Sequence, residues 1–183
     1  MSIPIIADFK FLAGSNLSNF RVSNDEEWTP RMGFQGGVGF EFDLSFKTLL
    51  EFNVLFMQKN YLNESEDISG QYVLNAISVP VLLRNKLFYH TSPYLVGGIE
   101  IGNLLSFIRK IEGEELPIDM SDTIKKMDLS LVIGGGIEIE LSEELFLFFE
   151  LRFFRGIKNL LIEPTENQWQ KTGSVVLYLG IRS

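Results

Sequence analysis

From Glu144 to Phe154 the chain reads ELFLFFELRFF, and its apolar and charged positions separate only at a period of two. Leu145, Leu147, Phe149, Leu151 and Phe153 fall on one face, and Glu144, Phe146, Phe148, Glu150 and Arg152 on the other. A helical period would leave apolar residues on every side. The segment is therefore predicted to be a strand with one wholly apolar face and one mixed face. The same alternation predicts eight strands, at about 4–14, 31–43, 47–60, 71–84, 93–106, 127–141, 144–155 and 173–182. Each is long beside the usual five or six residues and suits the roughly nine to eleven that a tilted membrane-crossing strand needs.

With these bounds the connections alternate in length. Those at 15–30, 61–70, 107–126 and 156–172 are long and polar, whereas 44–46, 85–92 and 142–143 are short. An up-and-down barrel in an outer membrane has this asymmetry, with tight turns at one end and longer loops at the other. Within the long connections, Ser121 or Asp122 offers a helix N-cap before Thr123–Lys126.

The apolar face is built from large side chains and includes Phe40, Phe52, Val54, Ile99, Ile137, Phe149, Leu151 and Leu177. Asn75 interrupts it, and Ile5 and Ala7 begin it. The opposite face carries Asp8, Lys10, Glu41, Glu51, Lys59, Arg84, Glu100, Glu138, Glu140, Glu150, Arg152 and Arg182. Alternation alone does not say which face points inward. An eight-stranded barrel has an interior just wide enough for side chains to fill, so the bulky face fits lipid better than a narrow lumen. The charged face is interleaved with Gly37, Gly39, Gly98, Gly102, Gly134, Gly136 and Gly180, which make room for long side chains. Acids and bases are close to balanced, as buried charge requires. The expectation is a lumen charge network of Asp8, Lys10, Glu41, Glu51, Arg84, Glu100, Glu138, Glu150, Arg152 and Arg182. A three-residue loop centred on Glu143 would set Gly136 opposite Glu150 and Gly134 opposite Arg152.

The glycines also form a repeated Gly-x-Glu-x pattern at Gly39, Gly98 and Gly136, but the strand-to-helix context of a phosphate-binding loop is absent. Aromatic girdles are expected from Phe42, Phe46, Phe88, Tyr89 and Tyr94 at the short-turn end, and from Phe20, Trp28, Tyr61, Phe107, Phe154 and Trp169 at the loop end.

Composition narrows the functions. The 183 residues fit a single domain, 1–183, that is 45% hydrophobic and contains 16 Phe; mean hydropathy is +0.13. A net charge of -8 argues against nucleic-acid binding. There is no Cys, and the one His, His90, sits in a short polar connection, so neither thiolate nor Ser-His chemistry is expected. No cofactor and no metal are expected, although the acidic Asp25, Glu26, Glu112, Glu114 and Glu115 are of a type that binds calcium. The N-terminal MSIPIIADFKF has neither a basic start nor a small-residue cleavage site, so an exported chain would be seen here in mature form.

The segments AISVPVLLRNKLF, SPYLVGGIEIGNLLS, MDLSLVIGGGIEIEL, LFLFFELRFFRGIKNL and VVLYLGIRS resemble the PorT-like outer-membrane β-barrel domain family of Bacteroidota over roughly residues 31–182. The resemblance implies an eight-stranded antiparallel up-and-down transmembrane β-barrel in a bacterial outer membrane, with no enzymatic activity and a namesake linked to secretion. Barrels of that family usually end in an aromatic residue, whereas this chain ends Gly180-Ile-Arg-Ser183. The expected role is structural or interactive, anchoring loops or docking on a larger complex, with outer-membrane lipid as one partner and a protein of unknown identity as another. The alternatives are an outer-membrane enzyme acting on lipid or peptide, and a soluble lipocalin-like carrier of a small apolar ligand.

Overall fold

A computed structural model of the chain describes residues 7–22, 28–65, 68–88, 92–111, 117–162 and 169–183. Ile5, Tyr89, His90 and the acidic Asp25, Glu26, Glu112, Glu114 and Glu115 lie outside them. Nine strands follow one another: β1 (Ala7–Val22), β2 (Trp28–Asp43), β3 (Thr48–Ser65), β4 (Ile68–Lys86), β5 (Ser92–Ile111), β6 (Ile118–Asp119), β7 (Met127–Ser142), β8 (Leu145–Gly156) and β9 (Gln170–Arg182). All except the two-residue β6 are barrel staves. Each stave pairs antiparallel with its neighbour in the chain, and β9 returns to β1, with Lys10 opposite Arg182 and Leu12 opposite Gly180. The sheet is thus a closed eight-stranded barrel, which leaves no long edge to be satisfied by another chain.

The expected strands are present but several run farther than their polar ends suggested. β1 continues to Val22 and β2 begins at Trp28, while β3 reaches Ser65 and β4 resumes at Ile68. Two of the four connections expected to be long are therefore narrow, 23–27 and 66–67. The physical reason is that a solvated strand tolerates Asn, Ser, Thr and Glu as readily as a loop does, once its neighbour supplies the ladder bonds. The connections 112–126 and 157–169 do remain long. The expected helix start becomes a single 3₁₀ turn, Ser121–Thr123, which has no side-chain cap. Ser121 is occupied otherwise: its hydroxyl donates to Asp119 (2.6 Å) and accepts from the Phe107 amide (2.9 Å).

Outward positions carry the large apolar side chains. Phe40, Val54, Ile99, Ile137, Phe149, Leu151 and Leu177 are exposed and Phe52 is half-buried. Near the turn end, Phe9 stacks edge-on against Phe11 and Phe40, each at 4.9 Å, and Phe42 meets Phe52 at 6.0 Å. This distribution is the reverse of a soluble lipocalin, whose apolar side chains line the interior. The carrier alternative is overturned by that inversion.

Inside, two layers of apolar and aromatic side chains fill the barrel. One comprises Leu12, Leu55, Leu82, Tyr94, Val96, Val132, Phe148, Phe154, Val176 and Tyr178. The other, toward the loop end, comprises Met57, Tyr61, Tyr72, Leu74, Ala76, Phe107, Ile124 and Leu160. Tyr61, Tyr94, Phe107 and Phe154 therefore do not belong to interfacial girdles as expected; they are buried in the lumen. Phe46 and Phe88 are exposed at the turn end. The side chains of Phe20 and Trp28 are not among those described.

Interior glycines admit these rings. A Cβ on Gly136 would lie 2.6 Å from the Tyr94 ring, and one on Gly180 would overlap Phe148. Gly180→Val should therefore lower stability by about 1–3 kcal/mol through overpacking. Urea unfolding of the refolded barrel in lipid vesicles reads that change.

Candidate functional site

The feature that the strands build together is the set of charges across the lumen. Period-two alternation sends the even residues of β1, β4, β7, β8 and β9 inward, and the odd residues of β2 and β3. Lys10, Glu41, Glu51, Arg84, Glu150 and Arg152 are at most 1% exposed. Asp8 is half-buried near the turn end, and Glu138 and Arg182 are buried beside it. A tight layer of ion pairs joins them. Lys10 lies 2.9 Å from Glu51, 3.3 Å from Glu41 and 3.9 Å from Glu150. Arg84 pairs with Glu41 at 2.8 Å and also with Glu138. Arg182 engages Asp8 and Glu138, with Glu41 at 3.6 Å, and Arg152 engages Glu150 and, at 2.5 Å, Glu51.

The topology gives these distances their meaning. Around the closed barrel, β3 and β8 stand on opposite walls, four staves apart in either direction. The Arg152–Glu51 pair therefore crosses the diameter. Lys10–Glu150, Arg182–Glu41 and Arg84–Glu138 each skip one stave. Aromatic faces complete the cation shells: Arg84 lies 3.6 Å from the Tyr94 ring centre, Lys10 4.3 Å from Phe148 and Arg152 4.9 Å from Tyr178. Asn53 donates to Glu51 at 2.7 Å.

Register places the charges opposite glycines. Gly134 faces Arg152 and Gly136 faces Glu150, the expected pairing. The route differs from the expected three-residue loop. Glu143 and Glu144 form a two-residue turn, and a bulge between Glu140 and Ser142 restores the register.

Glu100 departs from the expected network. It is buried in the lumen but makes no ion pair with the cluster; instead it accepts a hydrogen bond from Ser78 at 3.1 Å. Its level is higher, beside Lys59 and Asp128, where a small pocket with room for about one or two waters lies toward the loop end. Loops knit over this end: the Lys125 amide donates to Leu160 O at 2.8 Å, and Leu104 N to Lys126 O at 2.7 Å. Glu140 keeps the inward parity of β7, opposite Phe146, but stands exposed at the turn-end rim.

Sequence reasoning placed Phe148 on the face of Glu150 and Arg152 but missed Tyr94, Tyr178, Asn53 and Gln35, whose amide donates to the Tyr178 hydroxyl. Parity would have found them, since Tyr94 is even like Glu100 on β5, and Tyr178 is even like Arg182 on β9. The Asn75 interruption has its own explanation. Asn75 is outward, accepts from Gln58 at 3.2 Å and donates to Ser106 at 2.9 Å, a hydrogen-bonded rung at a bulge. Among the described residues no group of His, Cys, Asp or Glu is arranged to hold a metal.

The pairs in the lumen should be strongly coupled. Arg152→Leu leaves Glu150 and Glu51 short of a partner and should cost about 3–5 kcal/mol. Arg152→Leu combined with Glu150→Leu should recover most of that loss in the same vesicle unfolding assay, because the stranded charge is removed with its partner.

No curated protein matches the chain in sequence. The fold is similar to the outer membrane protein OprG from Pseudomonas aeruginosa (12% identity, 97% of this chain and 95% of that chain covered, TM-score 0.62). It is also similar to Neisserial surface protein A (14%, 95% and 95%, TM-score 0.53) and to Ail, the attachment invasion locus protein of Yersinia pestis (13%, 96% and 98%, TM-score 0.50). At such identities the likeness concerns the fold alone. A family model described as outer membrane protein beta-barrel domain matches residues 6–161. With an inverted, closed eight-stranded barrel and most of its length matched, the chain belongs to that family and is a protein of the bacterial outer membrane.

Proposed function

We propose that this chain acts as a closed, non-enzymatic outer-membrane barrel, PorT-like in kind, that anchors its loop-end surface or docks on a larger, secretion-related outer-membrane complex. The observation that carries the reading is the Arg152–Glu51 pair across the diameter, in a lumen that buried aromatic and apolar side chains also fill. A lumen so filled has no continuous water path for solutes. Among the described residues the buried acids are engaged by cations, hydroxyls or amides, which leaves none of these poised as a free general acid or base. The resemblance to PorT-like barrels rests on the quoted strand motifs.

In this reading Phe40, Phe52, Val54, Ile99, Ile137, Phe149, Leu151 and Leu177 meet acyl chains, and the protein partner binds at the loops or along one wall. No nucleic-acid partner is part of it. Purified barrel reconstituted in planar bilayers should give no steady conductance, and a large stable pore would overturn the proposal. Photo-crosslinking from loop positions in native membranes should capture a defined protein. Leu151→Arg, near the middle of β8, should cost about 2–4 kcal/mol in lipid vesicles, the penalty for a cation at mid-bilayer. An unchanged unfolding midpoint would place that face away from lipid.

A further inference from the structure

The outer wall over β8, β9 and β1 is apolar up to a level set by Phe153, Val175 and Leu17, all exposed. The next outward positions change character at once. They are Arg155, which is exposed, then Gly173 and Asn19, and beyond Gly173 comes Lys171. Register holds these positions together: Arg155 stands opposite Gly173, Gly173 opposite Asn19, and Lys171 opposite Arg21. Three bases therefore fall on three adjacent staves, around a position that has no side chain. Arg155 and Lys171 are diagonal neighbours, within reach of each other for long side chains.

These cations differ from those of the lumen. Arg84, Arg152 and Arg182 each have carboxylate partners, whereas among the described residues Arg155 and Lys171 have none. None of the outward positions along β7, β8, β9 and β1 holds an acid. Lys171 lies instead over the Trp169 ring, 5.6 Å from its centre. Their height is also informative. From Leu151, near the middle of β8, four residues along a stave tilted by about 40° rise about 10 Å, so Arg155 stands at the edge of an apolar band about 25 Å tall. Trp169 at this level suits the boundary between lipid and water. Headgroup phosphates lie there, and a guanidinium fork beside an ammonium matches a phosphate in charge and in donors.

We infer that the outer wall over β8, β9 and β1 holds the phosphate of an anionic lipid in the loop-side leaflet, with Arg155 and Lys171 as its ligands and Gly173 leaving room between them for the headgroup. The site rests on the lipid-facing reading of this wall and goes beyond it, because contact with acyl chains needs no cation and discriminates no headgroup.

The chain has two tryptophans, so Trp28→Phe leaves Trp169 as a single fluorophore beside Lys171. The full barrel is refolded in phosphatidylcholine vesicles that contain a minor fraction of either brominated phosphatidic acid or brominated phosphatidylcholine. The brominated phosphatidic acid should quench Trp169 as though enriched about tenfold over the other lipid. Arg155→Gln combined with Lys171→Gln should abolish that preference and leave the urea midpoint of unfolding unchanged, while Arg155→Lys should keep most of it. Gly173→Leu, which retains both cations but fills the gap, should abolish it as well. Phe56→Trp, outward on the opposite wall in a chain lacking Trp28 and Trp169, should show no preference. Equal quenching of Trp169 by the two lipids, or a preference that survives the double variant or Gly173→Leu, would overturn the inference. So would an equal preference at Phe56→Trp, which would mean a diffuse field rather than a site. Quenching of neither tryptophan by either lipid would sink the lipid-facing reading itself, whereas quenching without preference sinks only the headgroup site.

Discussion

Charges inside a narrow barrel must find their partners across it, and this requirement organises the whole molecule. Lys10, Arg84, Arg152 and Arg182 each reach a carboxylate on another stave, and Arg152 reaches Glu51 on the opposite wall. Such pairs work only if the register of every intervening strand is correct. A slip by one residue would turn an entire row of charges toward lipid and an entire row of Phe, Leu and Ile into the lumen. The ion pairs are therefore weak as a source of net stability but strong as a specification of register. The glycines serve the same end. Gly134 and Gly136 clear the wall facing Arg152 and Glu150, so long side chains extend inward without distorting the ladder.

The lumen is graded along its axis. Toward the turns it is a dense electrostatic layer, at mid-height an apolar and aromatic plug, and toward the loops a small pocket where Lys59 lies near Glu100 and Asp128. The described parts of the long connections, 117–126 and 157–162, pack over that last layer through backbone bonds and bury Ile124 and Leu160. Burial of apolar side chains from these loops ties the mouth of the barrel to its core. Asp119, exposed beside this lid, is held below the usual carboxylate range by the Ser121 hydroxyl and then by the Ser121 amide, which keeps the turn anchored as an anion.

Much of the barrel was legible from alternation because lipid outside and a polar, packed lumen inside impose opposite preferences on successive residues. Leu151 and Arg152 are adjacent in sequence and meet different environments, and a period of two is the only one that separates them. Misassigned residues mark where alternation was not followed to its end. Tyr94 and Phe154 share the parity of Glu100 and Arg152, so their inward direction was available from the sequence; aromaticity near a strand end was the weaker signal. Phe107 is another matter. The bulge where Asn75 faces Ser106 but Ala76 faces Leu104 shifts the parity of β5, and only the paired strand reveals it.

The sequence by itself determined the staves, their two faces and the inward set of charges, since each follows from side-chain hydropathy at local spacing along one strand. The tertiary structure decided which charges touch, because pairing across the lumen depends on the order of strands around the barrel and on bulges that no single strand contains. It also decided where the strands end: the polar residues up to Ser65 and from Ile68 look like loop until a neighbouring strand satisfies their backbone. For the same reason it separated Glu100 from the network it resembled, since height along the barrel axis is set by the stagger between strands rather than by residue type.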